Sequence, residues 1–265
     1  MALRRATRQK LYRYTVYAVL IAILAWVVFG TNWAKIGPLF FNPEVAAKMF
    51  PGIITVALVN TLWFTAVAFI GGLLLGIVLA LLKMSSIGPF RWIATAWIEL
   101  FRGLPAILTI FAVAFIVPIA SGVPGQKLGG PVVLGLIGLI LVASAYMAET
   151  IRAGLQAVPK GQTEAARSLG MSPMKTTFWI VVPQGFRIII PPLTNEFVLL
   201  LKDTSLLFVA GTLIWSKELT NFAKDATTVN SNATPLIMAA ILYLIVTIPL
   251  TRFTAYLERR MAKQR

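Results

Sequence analysis

Six long apolar stretches run along the chain, at residues 14–30, 53–82, 93–119, 131–152, 178–213 and 235–257, with short polar intervals between them. An α-helix needs about 20 apolar residues to cross the hydrocarbon of a bilayer. In that solvent the backbone polar groups must be satisfied internally, which a helix achieves alone. The pattern therefore predicts an all-α polytopic membrane protein with about six transmembrane helices. The first stretch is short and opens on Tyr12, Tyr14 and Tyr17, an interfacial aromatic belt. The fifth, 178–213, is too long for one crossing, since a straight helix of that length reaches about 54 Å against a core of about 30 Å. Pro183, Pro191 and Pro192 fall inside it and predict a break, with the first part at the inner surface and the part after Pro192 crossing.

Composition agrees. Of 265 residues, 58% are hydrophobic and only 12% charged, against about 25% charged in soluble domains; the mean hydropathy is +0.83. In a soluble protein the net charge of +15 would point to nucleic acid. Here the basic residues alternate with the spans instead of forming one surface. With the N-terminus inside and six crossings, Arg4, Arg5, Arg8, Lys10, Arg13, Lys83, Arg91, Arg102, the residues from Arg152 to Arg187 and those from Arg252 to Arg265 fall on the inner side. Lys35, Lys48, Lys127, Lys217 and Lys224 fall outside, and Lys202 lies within a span. This positive-inside bias predicts a multi-pass membrane protein with both termini cytoplasmic. The basic N-terminus followed by an apolar run has the form of a signal peptide, but Val27–Trp33 offers no small-residue cleavage site, so a retained first helix is expected. Three regions follow: residues 1–52, with the basic segment, first helix and outer loop; a transmembrane domain, 53–257; and a basic cytoplasmic tail, 258–265.

The chain contains neither Cys nor His, which removes thiolate chemistry, the commonest general base and the commonest metal ligand. No catalytic or metal constellation is predicted. No G-x-x-x-x-G-K-[ST] motif occurs, so ATP is not bound in the P-loop manner.

Polar residues inside apolar segments are costly and therefore informative. Glu149, Glu196 and Asp203 lie in such segments. Glu196 and Asp203, seven residues apart, share a helix face; Asn195 and Lys202 share the adjacent stripe, and Thr204 and Ser205 add hydroxyls. Together they make a polar stripe that faces a partner helix or a wet cavity, not lipid. Glu149 can also pair with Arg152 three residues on. Arg102, ahead of Gly103 and Pro105, reads more readily as an interfacial cation than as a ligand. Gly72, Gly76 and Ala80 recur on one face and suit close helix packing.

The most distinctive stretch is polar. It reads E-A-A-R-S-L-G from Glu164, then nine residues, then I-V-V-P ending at Pro183. Pro159 can open a helix here, with Gln162 or Thr163 near the N-cap and Glu164 in the first turn. Gly170 suits the helix C-terminus, and Ala165, Ala166 and Leu169 offer a small apolar face. A helix lying on lipid is the alternative to one docked on a protein. The stretch resembles the cytoplasmic loop of bacterial ABC importer permeases, whose motif is E-A-A, three residues, G, nine residues, I-x-L-P; Val182 replaces the Leu. N-E-F at Asn195–Phe197, L-K-D-T-S-L at Leu201–Leu206, F-R-G-L-P at Phe101–Pro105 and A-Y-M-A-E-T-I-R-A-G at Ala145–Gly154 are similar to the polar amino acid branch of that family, which serves His, Glu, Gln, Arg and opine-type substrates.

That resemblance implies the type I ABC importer permease fold, with a coupling helix within residues about 159–175 in which Glu164, Ala165, Ala166, Gly170 and Pro183 serve ATPase coupling. It implies substrate-path roles for Glu149, Asn195, Glu196, Lys202, Asp203, Thr204 and Ser205. The implied partners are two ABC ATPase subunits that hold ATP and Mg, a second permease subunit, identical or related, and an extracytoplasmic substrate-binding protein. The alternative is a secondary amino acid transporter driven by an ion gradient through Glu149, Glu196 and Asp203, which leaves the loop motif without a purpose.

Overall fold

The computed structural model describes residues 5–211 and 214–262 and contains no strand among them. The charges assigned to Arg4, Lys263 and Arg265 lie outside the described residues. The helices, in chain order, are α1 (Arg5–Gly30), α2 (Trp33–Phe40), α3 (Pro43–Met49), α4 (Val59–Met84), α5 (Gly88–Gly103), α6 (Ala106–Phe111), α7 (Val117–Ser121), α8 (Gly130–Gln156), α9 (Lys160–Ser168), α10 (Pro173–Thr176), α11 (Val182–Asp203), α12 (Leu219–Asn230) and α13 (Thr234–Ala262). Wider π turns lead into α4 over Ile53–Leu58 and into α11 over Thr177–Val181, and a third joins α6 to α7 over Ala112–Ile116.

By length and apolarity four helical runs can cross a membrane: Arg8–Gly30, Ile53–Met84, Gly130–Gln156 and Thr234–Met261; a fifth arises if the pair Gly88–Gly103 and Ala106–Ser121 counts as one span. That pair is bent by 108°, so the stretch 93–119 is not one straight rod. Pro105 explains the corner. It offers no amide hydrogen and disfavours helical backbone at Leu104, which is extended (φ −89°, ψ 140°).

The fifth apolar stretch also differs from expectation. Pro183 sits in the first turn of α11, where a missing N–H costs nothing. Pro191 and Pro192 do not break the helix, which runs on to Asp203. Packing overrides the two lost hydrogen bonds: α11 lies against α4, α8 and α13, and a Cβ on Gly154 of α8 would stand 2.2 Å from Ile189 Cγ1. The α-helix ends instead at Asp203, where it tightens into a 3₁₀ run over Thr204–Ala210 that ends at Gly211 with φ 84°. By length and apolarity α11 is not among the runs that qualify.

The centre of the fold is α8, whose apolar window is 61% buried, whereas those of α1 and α13 are 0% and 6% buried. Helix α4 crosses α8 at the small-residue face seen in the sequence. A Cβ on Gly72 would stand 2.7 Å from Ala143 Cβ, and one on Gly76 3.0 Å from Met147 Cβ. Close approach of this kind lets van der Waals packing hold helices together where lipid supplies no hydrophobic drive.

Candidate functional site

Two places in the molecule carry chemistry: the polar loop between α8 and α11, and the charged groups around α5, α8 and α11.

The loop helix α9 begins at Lys160 with Pro159 as its cap, and the carbonyl of Pro159 accepts from the Gln162 amide at 3.0 Å. Neither Gln162 nor Thr163 is the cap, and Glu164 falls one turn later than expected, beyond the turn where the helix dipole acts on a carboxylate most strongly. The C-terminus closes as a Schellman motif. Gly170 adopts φ 83°; its N–H donates to Arg167 O at 3.0 Å, and the Met171 N–H donates to Ala166 O at 3.1 Å. The Arg167 guanidinium then holds Met171 O at 2.6 Å. Pro173 opens α10 behind the Ser172 cap.

One side of this loop is fixed to the body. Ala166 and Thr176 are buried, and Gln184 Nε2 donates to Gln162 Oε1 at 3.3 Å, joining α9 to the start of α11. Ala166 thus faces its own chain rather than a partner. Glu164, Ala165, Gly170 and Pro183 are exposed, and Leu169 and Met174 project 85% and 72% exposed. A rigid turn therefore presents apolar side chains outward.

Glu149 has a settled environment. Its Oε1 accepts from Lys83 Nζ at the end of α4 at 2.5 Å, and its Oε2 accepts from Arg152 Nη2 at 2.6 Å and Nε at 3.0 Å. Arg152 Nη1 also reaches Gln156 Oε1 at 2.5 Å. The pairing with Arg152 was legible in the spacing; the bridge to Lys83, 66 residues away, was not. This clamp spans the α4–α8 crossing and leaves Glu149 little capacity for a substrate.

The stripe on α11 is different. Glu196, Asp203 and Ser205 are half-buried, and Asn195 and Lys202 are exposed on the adjacent face. Among the described residues none of Glu196, Lys202 and Asp203 takes part in an ion pair. Thr204 departs from the stripe: it is buried and its hydroxyl donates to Leu201 O at 2.7 Å, closing the helix end.

The sequence reading passed over a second buried acid. Glu218 is fully buried and caps α12: Oε2 accepts from the Thr220 N–H at 2.6 Å and Oε1 from the Asn221 N–H at 2.7 Å, while Tyr243 O–H of α13 donates to Oε2 at 3.1 Å. The Leu219 N–H donates to Thr61 Oγ1 at 3.1 Å. Burial pushes the Glu218 carboxyl above its usual range, and these donors pull it partly back. Its lone position in a polar interval gave no periodic signal; its place just ahead of a helix was the only clue, since a carboxylate can cap.

Comparison with known proteins identifies the class of molecule these elements build. Residues 72–263 match the family described as "binding-protein-dependent transport system inner membrane component", and the chain belongs to that family. It is 33% identical over 92% of its length to the Escherichia coli "inner membrane amino-acid ABC transporter permease protein YhdY", of which it spans 63%. It is 36% identical over 77% of its length to the Bacillus subtilis "probable glutamine ABC transporter permease protein GlnM", of which it spans 91%. The crystal structure of an amino acid ABC transporter with histidines superposes with a TM-score of 0.72 at 34% identity, covering 81% of this chain and 96% of that one. The resemblance seen in the loop motif is thereby borne out. The relatives and structural neighbours are ABC transporter permeases, not the gradient-driven transporters of the alternative reading.

Proposed function

We propose that this chain is the transmembrane permease subunit of an ATP-driven importer for polar amino acids. The carrying observation is the α9 turn: a rigid, outward-facing apolar element, built on the Glu164–Pro183 motif and held by the Schellman closure at Gly170. Relatives named for amino acid import support the cargo. The basic-residue distribution supports six crossings with both termini in the cytoplasm; in this reading α9 lies on the same side as an ATPase.

In this reading Leu169 and Met174 of each permease chain insert into one of two ATPase subunits, Glu164 and Ala165 line the contact, and Ala166, Gly170 and Pro183 fix its geometry. ATP and Mg stay on those subunits, and this chain itself catalyses nothing. Two permease chains, identical or related, face each other around the path, and a binding protein delivers cargo from outside. Closure of the ATPases draws the two α9 elements together and opens the path outward; hydrolysis resets it. Asn195, Glu196, Lys202, Asp203 and Ser205 face the path. Glu149, with Lys83 and Arg152, serves as the clamp that moves α4 and α8 as one body.

Co-expression with an affinity-tagged cognate ATPase tests the docking. The wild-type chain is expected to co-purify, and Leu169→Asp is expected to reach the membrane but to lose at least about 10-fold in ATPase recovery, since an apolar anchor of about 2 kcal/mol is removed. Full recovery of ATPase by Leu169→Asp would overturn α9 as the docking element.

A further inference from the structure

A groove of about 570 Å³ runs between α4 and α11, with Ile151 and Leu155 of α8 between them. Its α4 wall is Phe69, Leu73, Ile77 and Leu81, one helix face at four-residue spacing. Among the residues that line it Thr194 alone is polar, and its hydroxyl is spent on Ile190 O at 2.9 Å. A charged or polar cargo would find no partner here, and neither Glu196 nor Asp203 borders the groove. The lining suits a hydrocarbon chain.

Length and charge select the occupant. From Phe69 to Leu81 the rise along α4 is about 18 Å, close to the hydrocarbon depth of one leaflet, about 15 Å. A helix of a second chain would need an α4 wall of about 30 Å to be seated across the whole bilayer. The α11 wall reaches further inward. Ile189 packs on Gly154 near the end of α8, and Phe186, Val182 and Phe178 continue the wall past that level. There the surroundings become basic. Lys175, Trp179 and Met174 line a second hollow of about 420 Å³, which shares Phe178 with the groove. Arg187 follows Phe186 and is exposed. The side chains of Lys175 and Arg187 make no hydrogen bond or ion pair among the described residues. A Trp indole suits the headgroup level of a bilayer, and two unspent cations suit a phosphate.

We propose that this groove seats an acyl chain of an anionic phospholipid, with the lipid phosphate at Lys175 and Arg187. This rests on the proposed topology, in which the basic end faces the cytoplasm, and not on the cargo. The cytoplasmic leaflet is the one that carries anionic lipid. The apolar wall holds the chain, and the two cations select the headgroup. Phe178 belongs to the π turn that leads from α10 into α11, so a lipid seated here touches the foot of the loop that carries α9.

The test places the photocrosslinking residue p-benzoylphenylalanine at position 77, in the groove, and separately at position 74. Leu74 is 62% exposed on α4 and does not line the groove. The permease–ATPase complex is reconstituted in vesicles of equal parts phosphatidylglycerol and phosphatidylcholine, illuminated, and its lipid adducts are weighed by mass spectrometry. Position 77 is expected to capture phosphatidylglycerol over phosphatidylcholine by about 5-fold or more, the scale of one or two basic contacts; position 74 should capture both alike. Lys175→Gln with Arg187→Gln is expected to reduce the preference at position 77 to under about 2-fold. Lys175→Gln alone, expected to at least halve it, decides the matter if the double variant does not assemble. Equal capture of the two lipids at position 77, a preference undiminished in these variants, or a crosslink from position 77 to α1 of a second copy in place of lipid would each overturn the lipid seat. Recovery of ATPase with the same preparations reports on the permease reading separately, so the two can fail independently.

Discussion

The amide of Met171 reaches back over Gly170 to the carbonyl of Ala166 at 3.1 Å, and this hydrogen bond turns the chain sharply at the end of α9. It exists because Gly170 adopts φ 83°, a conformation that costs other residues about 1–2 kcal/mol. A Cβ there would meet nothing within 4 Å, so the glycine is required by backbone conformation and not by space.

Gly170→Val and Gly170→Asn should therefore behave differently, although the two side chains are of similar size. Asn tolerates the left-handed region and a β-branched residue does not. The Val variant is expected to remain in the membrane but to lose most substrate-stimulated ATPase activity, about 5- to 30-fold for 1–2 kcal/mol; the Asn variant should keep more than half. Equal losses in both would show that a steric contact at position 170 matters instead of the turn.

Glu149 is expected to contribute to stability rather than to substrate affinity. Glu149→Gln leaves Lys83 and Arg152 adjacent at the α4–α8 crossing without their anion. Because all three side chains retain some solvent access, the loss should be about 1–3 kcal/mol, below the full cost for a buried pair. Thermal unfolding of the purified complex should show it as a fall of several degrees, with a substantial part recovered in the Glu149→Leu, Lys83→Met double variant. An unchanged melting temperature together with lost uptake would return Glu149 to the substrate path.

Glu218 gives a pH dependence. Burial raises its folded-state value above the ordinary 4.5. The folded chain then holds this proton more tightly than the unfolded chain, so the contribution to stability is greatest below pH 4.5 and falls as pH rises through the folded-state value. The melting temperature of Glu218→Gln, measured from pH 4 to 8, should lack that fall. An identical profile in the two proteins would remove Glu218 as its source.

Much of this molecule was legible beforehand. Gly72 and Gly76 announced the α4–α8 crossing, because close helix approach demands small residues at helical spacing. The loop motif announced α9 and its glycine terminus. What was misread turned on tertiary context. Pro191 and Pro192 are helix breakers by local rule, yet packing carries α11 through them. Pro105, read only as part of a motif, makes the corner that places Arg102. Lys83 and Glu149 are too far apart in sequence for any spacing rule to join, and Ala166, placed on an apolar outer face, turns inward because α9 is tied down through Gln162.

The central claim is that ATP bound by a partner drives amino acid import through this chain. Proteoliposomes containing the chain, its ATPase and an external binding protein, loaded with ATP and carrying no ion gradient, measure this most directly. Accumulation of tritiated glutamine or histidine is predicted with internal ATP and Mg and not with a non-hydrolysable analogue, and vesicles without ATP should stay empty under an imposed proton or sodium gradient. Gradient-driven accumulation in ATP-free vesicles containing this chain alone would contradict the account.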